Sequence, residues 1–325
     1  MKKMLCVLMG LVMFLAISCS RAESISIFAE ENISSRQYGA SQGALEKIEM
    51  LQDPQILEEL QAYFPINEFE TEEETMFFYK KYLALIARDG CGYAAATNLV
   101  FEKFEGEPEK FEETFGFPMY SVDTEGNVNF NYELFLLKFF NYAILEHNYS
   151  KEIVFDSMAK DLADNSLNNY VNSEYYNQKK PNDFYKWSNE ELEEWMQYEE
   201  EKSSRFHTLY EKWIFSQNHY MDFGTIFDEE YMGLGSFLEN YGLKIHYDFF
   251  DTITCKELKP GDIVGGDNYA LYQTNDDIMV EHIRAHAVYV TDVSEESVIV
   301  SSWGLQWKFD DTKTRWISAI RITID

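Results

Sequence analysis

A chain of 325 residues with a formal net charge of -30 and a sequence pI of about 4.5 would repel a phosphate backbone, which excludes nucleic acid as a partner. The 6 histidines are scattered and no Cys/His group has metal-ligand spacing, so neither a zinc site nor any other cofactor is expected. Such acidity reads as a solubilising surface, and the length is ample for a sizeable core.

The N-terminus reads as an export signal. Met1-Lys2-Lys3 is a cationic start, the stretch that follows is almost wholly apolar, and Ala16-Ile17-Ser18-Cys19 has the pattern of a bacterial lipoprotein box, with Cys19 lipidated after removal of residues 1–18. An ordinary secretory signal cut near Ala22 or Glu23 is the alternative. No other stretch reads as membrane-spanning, so membrane attachment is expected only through this lipid. Residues 19–41 are polar and read as a tether.

Residues 44–64 carry apolar side chains at helical spacing, broken at Asp53-Pro54 into two short helices. A third helix over 71–87 has Thr71 as N-cap and Glu74 in the position of a capping box. An acidic, phenylalanine-studded stretch follows over 102–113, then a turn-rich segment at 123–131, and helices over 132–145 and 153–167. Residues 165–182 have the composition of a loop, and 188–203 read as an exposed charged helix. Helices are also expected over 206–215 and 229–241. From 243 the apolar period becomes two, giving strands at 243–247, around 263, and at 270–273, 278–283, 286–291, 297–302 and 316–324. Helices first and antiparallel strands afterwards make an α+β fold.

Three short blocks carry the chemistry. In Asp89-Gly90-Cys91-Gly92, glycines bracket a cysteine at the start of a small-residue helix, where unpaired N–H groups and the helix dipole favour a thiolate. His286 opens the strand His286-Ala287-Val288-Tyr289-Val290, and Ser301-Ser302-Trp303-Gly304-Leu305-Gln306-Trp307 follows. In this order the blocks resemble a papain-like bacterial cysteine peptidase of the C39-like kind, over roughly 90–307. The resemblance implies a papain-like domain over 42–325 with a helical insertion around 150–220, and a peptide or protein as substrate.

It also implies roles for individual residues. Cys91 would be the nucleophile, with Gly92 beside it, and His286 the base and then the acid. Ser301 would stand where the family has the asparagine that orients the histidine, and Trp303 would shield the pair. The family's oxyanion glutamine is replaced by Leu85, so a second oxyanion donor is unassigned. Asp292 is a poor geometric substitute for Ser301, and His282 is a second candidate partner for Cys91. Cys91 and Cys255 can also be read as a disulfide, or Cys91 as a small buried hydrophobe. Beside the peptidase stand a catalytically inactive lipoprotein that binds peptides or cell-surface polymers, a peptidoglycan amidase and an acyltransferase.

Overall fold

The computed structural model describes residues 27–28, 37–68, 71–144, 233–265, 269–273, 279–283, 286–309 and 317–325. Within these residues the fold is mixed α+β, with helices leading and an antiparallel sheet following. The helices are α1 (Pro54–Tyr63), α2 (Glu72–Asp89), α3 (Cys91–Lys103), α4 (Pro108–Phe115), α5 (Tyr132–Asn141) and α6 (Leu234–Glu239). Two short 3-10 turns, Gln42–Glu46 and Ile48–Gln52, precede α1.

Local chemistry explains the helix boundaries. Asp53 caps α1 by accepting from the amides of Gln55 and Ile56, with Pro54 at the first helical position. Gly116, at φ 78°, closes α4 in the left-handed conformation that glycine adopts without strain. The break between α2 and α3 falls at Gly90, where a Cβ would lie 2.3 Å from the Ile86 carbonyl oxygen. No other residue type fits that join.

A small hairpin, β1 (Tyr120–Val122) and β2 (Val128–Phe130), flanks the turn at 123–127. Asp123 holds that turn by accepting from the amides of Glu125 and Asn127. The main sheet comprises β3 (Ile245–Ile253), β4 (Asp262–Gly265), β5 (Tyr269–Gln273), β6 (Met279–Ile283), β7 (Val288–Val293), β8 (Val298–Ser302), β9 (Leu305–Phe309) and β10 (Ile317–Ile324). Their order is β3-β10-β4-β7-β8-β9-β5-β6.

Successive residues of a strand face opposite sides, and both sides are buried along the central strands β4, β7, β8 and β10. Ile263, Tyr289 and Ile320 join the helices in one apolar cluster. Val264, Val288, Val290, Val300 and Ala319 join Trp307, Phe309 and Cys255 in a second one. Helix α3 lies against the first face and is buried from Cys91 to Phe101, as a helix apolar all round must be. Its Tyr93 packs on Phe139 and Phe140 of α5.

The expectation of a loose tether over 19–41 is corrected for its described part. Ile27, Tyr38, Gly39 and Ala40 are buried. The Tyr132 hydroxyl donates to the Ile27 carbonyl at 2.6 Å, and the Tyr38 amide donates to the Gly304 carbonyl at 2.7 Å. Polar composition suggested a solvated arm, but the segment's backbone groups find partners inside the protein. Residue Cys19, the insertion around 150–220 and the helices expected at 153–167, 188–203 and 206–215 lie outside the described residues. Among the described residues no helix is long and apolar enough to cross a membrane.

Candidate active site

Cys91 is the first residue of α3, directly after Gly90. The first intrahelical bond runs from the Ala94 amide to the Gly90 carbonyl, so the amides of Cys91, Gly92 and Tyr93 precede the helical ladder and point out of its N-terminal end, where those of Cys91 and Gly92 reach the Cys91 sulfur. The Cys91 Sγ accepts a hydrogen bond at 3.4 Å from the amide of Ala287, a residue 196 positions away. The loop entering β7 is thereby set against the start of α3, and with it comes His286.

His286 lies just before β7, not inside it. Its Nε2 is 2.7 Å from the Ser302 Oγ, and its ring stacks on Trp303 at 4.2 Å between centroids and 8° between planes. The Trp307 indole N–H donates to the Ser302 carbonyl at 3.0 Å and packs edge-on to Trp303, which fixes the end of β8. Trp303 and Gly304 form the two-residue turn between β8 and β9, with Ser302 paired to Leu305. Both have positive φ, 52° for Trp303 and 70° for Gly304, the signature of the hairpin turn that matches strand twist. A tryptophan in that region costs about 1–2 kcal/mol, and the stacked histidine is what the strained position delivers.

Cys91 and His286 are 6% and 7% exposed. Burial pushes the Cys91 thiol above its ordinary value, and the amides of Ala287, Gly92 and Cys91 itself pull in the opposite direction without overcoming it. Burial likewise lowers the His286 imidazole to about 4. Burial thus opposes a charge on either group, against the thiolate expected from the helix start. A buried site disfavours either charge more than one helix terminus favours the anion.

Ser301 is not the residue on the histidine. Its Oγ donates to the Tyr38 carbonyl at 2.7 Å and accepts from the Asn98 side chain at 3.2 Å. Adjacent residues of β8 face opposite ways, so alignment on Trp303-Gly304 put the wrong serine beside the imidazole by one position. Ser302 occupies that place. His282 sits on β6 at the sheet edge, with β5, β9 and β8 between it and β7, so its candidacy as partner rested on a strand continuity that does not exist. Asp292 is exposed toward the far end of β7. Cys91 and Cys255 are both free thiols, and Cys255 packs in the second cluster.

Two residues near the site carried no signal in the sequence pattern. Asn98 is buried on α3 and takes the Ala40 amide at 2.7 Å, tying the segment before the first 3-10 turn to the central helix. Gln42 begins that turn, is 3% exposed, and its side-chain amide makes no hydrogen bond. Its Cβ lies 3.2 Å from where a Cβ on Gly90 would be, so it packs against the residue preceding Cys91. A glutamine far from the nucleophile in sequence is invisible to motif spacing. Leu85, where the family resemblance sought a donor, is buried within the apolar core. Among the described residues no group of His, Cys, Asp or Glu is arranged to hold a metal ion.

No protein-family model matches the chain, and no curated protein or solved structure matches it either. The reading of its function therefore stands on the site itself.

Proposed function

We propose that this chain is an exported thiol peptidase of papain-like fold, lipid-anchored through Cys19, that hydrolyses peptide bonds with Cys91 and His286. The observation that carries the reading is the contact between the Ala287 amide and the Cys91 Sγ, made by a loop whose preceding residue is a histidine held by Ser302 and Trp303. A nucleophile at a helix start, a base beside it and a third group holding the base form the constellation that covalent acyl transfer needs.

With the Nε2 proton donated to the Ser302 Oγ, the imidazole presents its Nδ1 lone pair as the base. His286 takes the thiol proton as the Cys91 sulfur attacks the substrate carbonyl. The carbonyl π electrons move to oxygen, where the Cys91 amide donates to the developing oxyanion. Collapse of that intermediate breaks the C–N bond, and the imidazolium protonates the departing amine. Water then cleaves the thioester and regenerates the thiol. Because burial opposes a charge on either group, proton transfer and attack are coupled in this reading, and no preformed ion pair is required.

The near-complete burial of Cys91 and His286 favours a second reading, an inactive family member that binds peptides or cell-surface polymers without cleaving them. A panel of fluorogenic peptides offered to the full-length chain separates the two. The peptidase reading expects turnover that Cys91→Ala abolishes, whereas binding with no Cys91-dependent release of product means that only the inactive reading survives. In the same preparation Cys19→Ala moves the protein from the membrane to the soluble fraction.

A further inference from the structure

The loop that carries His286 reaches the nucleophile through one long bond, from the Ala287 amide to the Cys91 Sγ at 3.4 Å, and the imidazole itself is set by Ser302 and Trp303 at the end of β8. We propose that Tyr38 is a positioning residue for this site: as part of a strap at 37–42 it ties the Trp303–Gly304 turn, on which the His286 ring is stacked, to the helix that carries Cys91. In the thiol-peptidase reading, on which this rests, the N-terminal arm of the chain is therefore part of the catalytic apparatus.

Tyr38 is buried and bonds to the framework of the site through its amide, its carbonyl and its hydroxyl. The amide donates to the Gly304 carbonyl at 2.7 Å, the carbonyl accepts from the Ser301 Oγ at 2.7 Å, and the hydroxyl lies 2.9 Å from the Thr291 Oγ1 on β7. Two residues on, the Ala40 amide donates to the Asn98 side chain on α3 at 2.7 Å. The stretch from Tyr38 to Ala40 thus touches the helix of the nucleophile, the strand that follows the histidine and the turn stacked on its ring.

The turn is where such a tie matters. Trp303 holds a φ of 52°, and a non-glycine residue relaxes from that region unless its neighbours prevent it. The Trp307 indole holds the Ser302 carbonyl before Trp303, and the Tyr38 amide holds the Gly304 carbonyl after it. The strained residue is clamped on both sides, once from within the hairpin and once from the strap. Packing closes the second clamp, since a Cβ on Gly304 would lie 2.9 Å from the Ser41 Cβ and 3.3 Å from the Gln37 Cγ. The strap passes equally close to β8 and α3: a Cβ on Gly39 would lie 2.5 Å from the Ser301 Oγ and 2.6 Å from the Asn98 Oδ1. Gly39 also has a φ of 77°, so no other residue type fits there without moving the strap.

The test uses the full-length chain. Gly39→Ala displaces the strap while leaving Ser302, Trp303 and His286 as they are. Phe111→Leu, within the aromatic cluster around α4, is the destabilised control. Each is read by kcat and KM on the best peptide of a panel and by the NMR resonances of the His286 ring nitrogens, assigned by their absence from His286→Gln. Ser301→Ala is not the test, because it removes one strap bond and leaves those of the Tyr38 amide, the Tyr38 hydroxyl and the Ala40 amide.

A positioning role expects Gly39→Ala to move the ring resonances and to lower kcat about tenfold with KM within about twofold of wild type. Phe111→Leu, at a similar fall in melting temperature, keeps the wild-type resonances and kcat. If Gly39→Ala fails to fold, Tyr38→Phe and Thr291→Val take its place. Each removes one end of the same bond, and the single and double variants should show one common, smaller shift of the ring resonances. Unchanged resonances or an unchanged kcat in the strap variants, or an equal loss in Phe111→Leu, overturns the assignment. A wild type without turnover ends the hydrolase reading alone, and the ring resonances then decide whether the strap sets the imidazole.

Discussion

Cys91 is placed by main-chain groups, whereas His286 is placed by side chains. The cysteine follows from the register of α3, the required glycine at 90 and the amides of Gly92 and Ala287. The histidine sits outside regular structure and depends on the Ser302 hydroxyl, the Trp303 ring and, behind them, the Trp307 indole. Backbone placement survives most substitutions nearby, because every residue type except proline has a backbone N–H. Side-chain placement fails when one partner changes, so the histidine side should be the more fragile half of the site.

Breaking that side should have the largest effect. His286→Ala removes the base and the acid together and is expected to lower kcat/KM by about 10²–10⁴-fold with little change in KM, read from initial rates on the best peptide of a panel. A loss confined to KM would mean that His286 binds substrate and does not move protons.

The pH dependence of stability sharpens the same contrast. An imidazole that titrates at about 4 in the folded state and near 6.5 when unfolded binds fewer protons folded than unfolded between those values. Its contribution is complete above pH 6.5 and is lost as the pH falls toward 4, a difference of about 3 kcal/mol. Urea titrations at a series of pH values should show this slope in the wild type and a flatter one in His286→Gln. Equal slopes would place the histidine in contact with water.

The smallest effects separate neighbouring serines. Ser302→Ala leaves the imidazole stacked on Trp303 but without its hydroxyl partner, and is expected to reduce kcat about tenfold and to shift the lower limb of the pH–rate profile. Ser301→Ala instead leaves the Tyr38 carbonyl and Asn98 short of partners, costing about 1–3 kcal/mol of stability while the shape of that profile stays the same. If both serines alter the profile alike, the two faces of β8 are not the separate supports that their hydrogen bonds describe.

Much of the scaffold was legible because it rests on local rules. Apolar spacing locates α2 and α5, the Asp53-Pro54 pair marks the start of α1, and the switch to a period of two marks the antiparallel half. Strand β9 and the hairpin β1–β2 escaped, being short and interrupted by polar residues, and α4 was hidden within an acidic stretch. Cys91, His286 and Trp303 were recognisable as short blocks in order, and the fold sets the Cys91 and His286 blocks in direct contact across 196 residues.

What the sequence determined by itself was most of the described helices and strands and the residue types that meet at the site, since helix and strand periods and glycine breaks are properties of neighbouring residues. Only the tertiary structure decided which serine faces the histidine, that the described part of the expected tether is a buried strap, and that a buried glutamine packs against Gly90. It also decided how strongly burial opposes a charge on Cys91 and His286. Each of these depends on which face of a strand is turned inward or on how much water remains around a group, and both are fixed by contacts between segments far apart in the chain.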